Sequence, residues 1–181
     1  MRAIHNAGPR GPATARRLLV WGAAAVLLAV PWLAMRVTAE VAWTGGDFLV
    51  FGGLLAGACV AWEWLVRLQR GVAWRAGVAL AIVTAFLLVW ATLAVGVIGD
   101  EADPANRLVL VIPVIALATA ALGRFQPVGM MRAMLVAATA QLLPGTVAAM
   151  KGDGLAVLAC LCLAASWLLA AWLFRRAAAT G

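Results

Sequence analysis

Six long apolar runs, separated by short polar segments, constrain the fold of this chain more than any other feature. They are residues 18–35, 48–66, 77–98, 108–122, 133–150 and 155–174. A helix needs about 20 apolar residues to cross the hydrocarbon core of a bilayer. Because lipid offers no partner to backbone N–H and C=O groups, each run must be helical if it crosses. The predicted fold is therefore an all-α integral membrane bundle of six transmembrane helices.

Composition supports a membrane fold over a soluble one. Hydrophobic residues make up 66% of the 181 residues, and the mean hydropathy is +1.02. An ordinary soluble domain is about 45–50% apolar. A soluble chain of this length could not remove so much apolar surface from water, because its surface is too large for its volume. Lipid is thus the expected surrounding of most of the chain.

The fourth run is the one that least resembles a complete span. Residues 108–122 rise only about 22 Å as a helix, short of the roughly 30 Å hydrocarbon core. The run could cross if Arg107 and Arg124 extend their charged ends toward the headgroups, or it could form a re-entrant segment. Crossing is favoured, because it keeps Arg124 and Arg132 on the same side as most other basic residues.

Basic residues predict the direction in which the chain threads. With the N-terminus inside, eleven of the fourteen Lys and Arg residues lie on the cytoplasmic side, and only Arg36, Arg107 and Lys151 lie outside. Lys and Arg in short cytoplasmic loops set the orientation. We therefore expect a cytoplasmic basic tail over residues 1–17, a transmembrane domain over 18–176 and a cytoplasmic tail over 177–181. A cleaved signal peptide is the alternative for the start of the chain, but the first apolar run is long enough to be retained.

Several classes of function lack their sequence signatures. The net charge is +7, but the basic residues sit at the ends of apolar runs, so nucleic acid is not an expected partner. Cys59, Cys160 and Cys162 form no CxxC pair, and the single histidine is His5. No metal or cofactor is therefore expected. No cluster of histidine with acids, HExxH motif or phosphate-binding glycine loop suggests an enzyme.

Glu63 is the clearest ionisable residue inside an apolar run. Such groups are costly in a membrane and are candidates for function by default. Helical spacing places Gly52, Ala56 and Cys59 on the face of Glu63, so this face is expected to pack on another helix. Glu63 could couple transport to a proton or cation. The favoured interpretation is an ion pair with Arg67, one helical turn later.

Two further patterns inside the runs bear on helix packing. Gly53 and Gly57 form a GxxxG motif, which lets helix backbones approach closely in a homodimer or within one chain. Gln141 places an amide in an apolar run, and Pro144 disturbs the helix three residues later. Together these two residues could line a cavity. A hydrogen bond from Gln141 to a neighbouring helix is the favoured interpretation.

Acidic residues near the outer ends of the runs have the context of helix caps. Asp47, Asp103 and Asp153 lie at or just before the start of a run, where a carboxylate can accept hydrogen bonds from free N–H groups. An external cation site is the alternative. Gly-Asp pairs also recur every 53 residues, at 46–47, 99–100 and 152–153. This period fits three repeated helical hairpins, but six evenly spaced helices produce it as well.

Residues 90–106, WATLAVGVIGDEADPAN, resemble the signature W-x-N-L-A-V-G-I-I-G-S-E-D-N-P-A-N of a family of small, uncharacterised bacterial inner-membrane proteins. Trp43-Thr44 with Asp47-Phe48 is similar to the start of an earlier helix in that family. Thr92 stands where the family has Asn. The resemblance implies a multi-helix protein of the bacterial inner membrane and transfers no activity. Glu101 and Asn106 are its candidate functional residues, with a turn and a helix cap as the alternative.

The favoured function is a non-enzymatic accessory or partner subunit in the bacterial inner membrane. It would be surrounded by lipid and would bind a second copy of itself or another membrane protein. This interpretation follows from the scarcity of polar groups in the apolar runs and from their small-residue faces. The alternative is a small transporter or channel in which Glu63 is the coupling carboxylate and Gln141 lines the path.

Overall fold

All regular secondary structure in the described part of the chain is α-helical, which confirms the predicted all-α class. The computed structural model describes residues 12–69, 71–98, 103–104 and 106–180. Its helices are α1 (Pro12–Val37), α2 (Gly45–Leu68), α3 (Val72–Ala94), α4 (Asn106–Leu122), α5 (Pro127–Ala140), α6 (Leu142–Met150) and α7 (Gly154–Ala179). They correspond to the six predicted runs, with the fifth run divided between α5 and α6.

Length and composition allow five segments to cross a membrane. They are Thr14–Val37, Gly45–Leu68, Val72–Ala94, Pro127–Met150 and Gly154–Ala179, where α5 and α6 count together. The shorter apolar helix is α4, with 17 residues, or a rise of about 25 Å. Two residues of α4 lie outside the predicted run, and they bring its length closer to the thickness of the hydrocarbon core.

Several helix ends differ from the ends of the apolar runs. α1 and α5 begin about six residues earlier than predicted, each with a proline in its first turn, where the missing N–H has no role in the helix. α3 ends at Ala94 rather than residue 98, because Gly96 adopts a positive φ of 73°. A glycine in this conformation commonly terminates a helix.

The chain divides into two compact units, Met1–Glu63 and Trp64–Gly181. In the first unit, α1 and most of α2 form an antiparallel hairpin. The side chain of Leu28 lies 3.7 Å from the Cβ position of Gly52. Closer to the other end of the hairpin, the Sγ of Cys59 lies 3.9 Å from the carbonyl oxygen of Val20. The face of α2 that was predicted to pack on a helix is therefore the face that meets α1.

A reciprocal cap begins α2. The N–H of Thr44 donates to Asp47 Oδ2 at 2.6 Å, and the N–H of Asp47 donates to Thr44 Oγ1 at 3.3 Å. This is a capping box, in which two free N–H groups are satisfied by each other's side chains. Asp47 thus lies in the first turn of the helix rather than before it, and Thr44 is the residue at the cap.

The second unit is a bundle of α3 to α7 and the last turn of α2. α7 packs against α3, α5 and α6, and α4 packs against α3 and α5. Side chains that are fully buried in this core include Val78, Leu88, Val109, Ala133, Ala137, Ala170 and Phe174. Many of the buried residues of α5 and α7 are alanines, and small side chains allow helix backbones to approach closely.

Contacts between helix ends show which charged residues share an end of the second unit. The rings of Trp74 and Phe174 lie 5.2 Å apart, which joins the start of α3 to the end of α7. Lys151 and Asp103 form an ion pair, which joins the end of α6 to the segment before α4. The first end carries Arg75, Arg124, Arg132, Arg175 and Arg176, and the second carries both signs of charge, with Asp103, Arg107, Lys151 and Asp153.

The α4–α5 turn, residues 123–126, is unusually tight. Arg124 and Phe125 have φ values of 51° and 52°, in the left-handed region that residues with a side chain rarely adopt. The N–H of Phe125 donates to the carbonyl of Ala120 at 2.9 Å. A Cβ at Gly123 would lie 2.5 Å from the Cα of Gly129. The two glycines therefore bring the backbones on either side of the turn into direct contact.

Candidate functional site

Glu63 is held by two side chains of α1. Its Oε1 accepts a hydrogen bond from Trp21 Nε1 at 2.6 Å and lies 2.9 Å from Arg17 Nε. The Glu63 side chain is 17% exposed, whereas that of Arg17 is 64% exposed. Arg67 is exposed in the last turn of α2, and its pairing with Glu63 stays a prediction. The antiparallel hairpin brings Arg17 beside Glu63, a proximity that spacing within α2 could not reveal.

The partners of Glu63 favour a structural role for this carboxylate. An ion pair with Arg17 and a hydrogen bond from Trp21 to the same carboxylate oxygen join α1 to α2 near the end of the hairpin. Hydrogen bonds to charged groups are stronger than neutral ones. A cation that binds Oε1 would compete with Arg17 and Trp21 for this oxygen.

Gln141 lies at the junction of α5 and α6 and is fully buried. Pro144 has no N–H to donate to the carbonyl four residues earlier, which explains the interruption. Among the described residues, neither Nε2 nor Oε1 of Gln141 has a hydrogen-bond partner. The predicted hydrogen bond to a neighbouring helix is therefore not formed with a strong donor or acceptor of the described residues. The Cys160 thiol of α7 lies close enough to interact with the amide, but a thiol is only a weak partner.

We expect Gln141→Met to raise the free energy of unfolding by about 1–3 kcal/mol, because a buried amide without partners carries its full desolvation cost. Methionine has a similar length and no polar amide. SDS titration of the protein in mixed micelles measures the change. Leu142→Met is the control, since Leu142 is 53% exposed and should give a small change. A Gln141→Met protein that is less stable than the wild type would show that the amide has a partner in the membrane.

Asn106 fastens the α3–α4 connection. Its Oδ1 accepts hydrogen bonds from the N–H of Val97 at 2.9 Å and from the N–H of Ile98 at 3.0 Å. Asn106 is 5% exposed and Ile98 is fully buried. One amide oxygen thus satisfies two backbone donors that follow the end of α3. Glu101, the other candidate of this loop, lies outside the described residues.

The GxxxG glycines of α2 do not contact α1. Gly53 and Gly57 are exposed, and a Cβ built on either one meets no atom within 4 Å. The neighbouring Gly52 is the glycine that faces α1, through Leu28. Gly53 and Gly57 therefore leave a strip of bare backbone on the side of the hairpin that faces away from α1.

Three other acids of the described chain have separate structural roles. Asp153 caps α7 by accepting a hydrogen bond from the N–H of Ala156 at 2.9 Å, as predicted. Asp47 belongs to the capping box of α2, and Asp103 pairs with Lys151. The described residues contain no group of three or more His, Cys, Asp or Glu side chains that could hold a metal ion.

The candidate residues belong to different structural elements. Glu63 lies in the hairpin, Gln141 at the α5–α6 break and Asn106 at the α3–α4 connection. Comparisons of the chain with protein-family models, curated proteins and solved structures found no match.

Proposed function

We propose that this chain is a non-enzymatic accessory or partner subunit of the bacterial inner membrane. In this proposal it crosses the bilayer six times, with both termini in the cytoplasm. The arginine-rich end of the second unit supports the orientation, because basic residues favour the cytoplasmic side. The likeness of residues 90–106 to a bacterial inner-membrane signature supports the location.

The observation that carries the partner role is the open backbone strip at Gly53 and Gly57. Glycine lowers helix stability by about 1 kcal/mol relative to alanine, and it offers lipid no side chain to contact. Two exposed glycines four residues apart are explained if another helix packs there, because their absence of side chains allows close backbone contact. We infer that the occupant is a transmembrane helix of a different membrane protein.

The surroundings of the other candidate residues are consistent with this role. Glu63 is engaged by Arg17 and Trp21, and Asn106 is engaged by two backbone N–H groups. Each of these polar groups stabilises a connection between helices. A hydrolytic site needs a nucleophile within reach of a base, and Glu63 and Asn106 do not form such a pair.

Leucine at positions 53 and 57 tests the partner role. We expect Gly53→Leu with Gly57→Leu to reduce recovery of the partner at least tenfold in a pull-down from native membranes, because two leucines prevent close helix contact. Gly22→Leu on α1 is the control, since a Cβ at Gly22 also meets no atom within 4 Å. A photo-crosslinking residue at position 53 should attach to the same partner, and one at position 22 should not. Equal recovery from all variants would contradict the proposal.

A second candidate function is a small transporter, favoured by Gln141. Transporters bind substrates at interrupted helices near the middle of the membrane, and Gln141 is a buried amide without partners at such an interruption. A neutral solute with one donor and one acceptor would match the amide. Reconstituted vesicles should then take up neutral polar solutes, and Gln141→Met should abolish uptake while the protein stays folded. If Glu63 couples the transport, Glu63→Gln should alter it. Vesicles without flux would exclude this function.

A further inference from the structure

We propose that the start of α3 and the end of α7 bind the headgroup of an anionic phospholipid. The site, called here the α3–α7 corner, consists of Arg75, Arg175 and Arg176 with the ring of Trp172. It belongs to the second unit, whereas the glycine strip of α2 belongs to the first. The lipid site and the proposed partner role can therefore fail independently.

Buried aromatic contacts fix the position of the corner. The Trp74 and Phe174 rings pack edge to face with centroids 5.2 Å apart. The Nε1 of Trp74 donates to the Leu65 carbonyl at 2.8 Å, and both rings are almost fully buried. Arg75 directly follows Trp74, and Arg175 directly follows Phe174, and both arginines are exposed. Two exposed guanidinium groups are therefore carried on adjacent helix ends that the core holds together.

Arg176 adds a third guanidinium group, and the ring of Trp172 indicates its depth in the bilayer. Its Cζ lies 3.9 Å from the centre of the Trp172 ring, and Trp172 is 38% exposed. Tryptophan prefers the headgroup level of a bilayer. A guanidinium that stacks on a ring keeps its in-plane N–H donors free. These donors match the oxygens of a phosphate, which arginine binds through two parallel hydrogen bonds.

The charge of the corner is not balanced within the second unit. The described carboxylates of this unit are Asp103 and Asp153, and both lie at the opposite end, near Lys151. The C-terminal end of a helix also favours cations, because the helix dipole is negative there. This effect applies only to the arginines of α7, because Arg75 lies at the start of α3. The three positive charges of the corner should attract an anion at headgroup depth. Anionic lipids are concentrated at the cytoplasmic face.

Binding of phosphatidylglycerol to the full-length protein tests the site. Native mass spectrometry of the detergent-solubilised protein would give the apparent Kd of the first bound lipid, with phosphatidylcholine as the neutral comparison. We expect the wild type to prefer phosphatidylglycerol and the Arg175→Gln, Arg176→Gln protein to bind it at least tenfold more weakly. Phosphatidylcholine binding should not change. Arg176→Lys should retain part of the preference, because it keeps the charge and loses the paired donors.

The chain contains a matched control for Arg176. The Cζ of Arg36 lies 5.0 Å from the centre of the Trp32 ring, also four residues earlier, but at the end of α1. Arg36→Gln should leave phosphatidylglycerol binding unchanged. Equal phosphatidylglycerol affinity in the wild type and the double variant would overturn the proposal. So would an equal loss in Arg36→Gln, or displacement of the lipid by millimolar inorganic phosphate, which would indicate a site for free phosphate. Circular dichroism checks that each variant stays helical.

Discussion

Gly123→Ala is expected to lower the free energy of unfolding by about 3 kcal/mol, the upper range for overpacking a tight site. The new Cβ would lie 2.5 Å from the Cα of Gly129, and a Cβ at Gly129 would lie 2.7 Å from both the Cα and the carbonyl oxygen of Gly123. These neighbours are backbone atoms, so no rotation of a side chain can relieve the clash. The turn must open, and α4 must then shift against α5.

SDS titration of the purified protein measures this loss, with Gly154→Ala as the control. Gly154 is the first residue of α7, and a Cβ there meets no atom within 4 Å. The same substitution should therefore be neutral or slightly stabilising at Gly154, because alanine is the better helix former. Similar unfolding curves for both variants would show that the Gly123–Gly129 contact is absent in the folded protein.

Asn106→Leu is also expected to cost about 3 kcal/mol of stability. Leucine has no acceptor for the N–H groups of Val97 and Ile98, and a buried donor that loses its partner costs about 1–3 kcal/mol. Ile98 is fully buried, so water cannot easily replace the amide oxygen there. The α3–α4 connection should also exchange its amide hydrogens faster in the variant.

Asn106→Asp separates the hydrogen bonds from the size of the side chain. Aspartate keeps an acceptor oxygen for both N–H groups, so Asn106→Asp should protect the amides of Val97 and Ile98 better than Asn106→Leu, although the buried charge adds its own cost in stability. Equilibrium unfolding and hydrogen exchange of Val97 and Ile98 would compare the two variants. If the amides of Val97 and Ile98 exchanged equally fast in both variants, the two backbone hydrogen bonds could not be the reason that Asn106 matters.

Hydrophobicity predicts the fold class of this chain well, because a bilayer permits few backbone structures. It predicts helix ends less well. Residues 95–98 are apolar, yet α3 ends at Ala94 because the backbone turns at Gly96. Arg132 is polar, yet α5 already begins at Pro127. A helix ends where the backbone conformation changes, whereas the polarity of a side chain indicates only whether it lies in lipid or in water. Polarity is therefore a poor guide to helix ends.

The candidate residues show a similar division. The sequence indicates that Glu63 needs a partner, since a carboxylate is costly in lipid. It cannot indicate Arg17, 46 positions earlier, because this pair forms only when α1 and α2 pack in one particular register. Gln141 differs, because its amide atoms meet no strong hydrogen-bond partner among the described residues. The side chain that α7 brings to the amide is the thiol of Cys160.

Glycine spacing in the sequence did not predict which glycines form the close backbone contact of the described chain. The GxxxG motif directs attention to Gly53 and Gly57, whose Cβ positions are open. The close backbone contact lies instead between Gly123 and Gly129, which are six residues apart and belong to no helix-packing motif. Their contact depends on a turn with two consecutive left-handed residues, Arg124 and Phe125. Residues with side chains rarely adopt this conformation, so the turn could not be predicted from the sequence.

Accessibility of single cysteines in intact cells most directly tests the six crossings and their direction. The variants are Glu40→Cys, Pro104→Cys, Gln126→Cys and Thr180→Cys, in a background without the native cysteines. All four positions are exposed. A membrane-impermeant maleimide should label positions 40 and 104 in intact cells, and positions 126 and 180 only after permeabilisation. Labelling at 126 in intact cells would show that α4 does not cross, and labelling at 180 would contradict a cytoplasmic C-terminus.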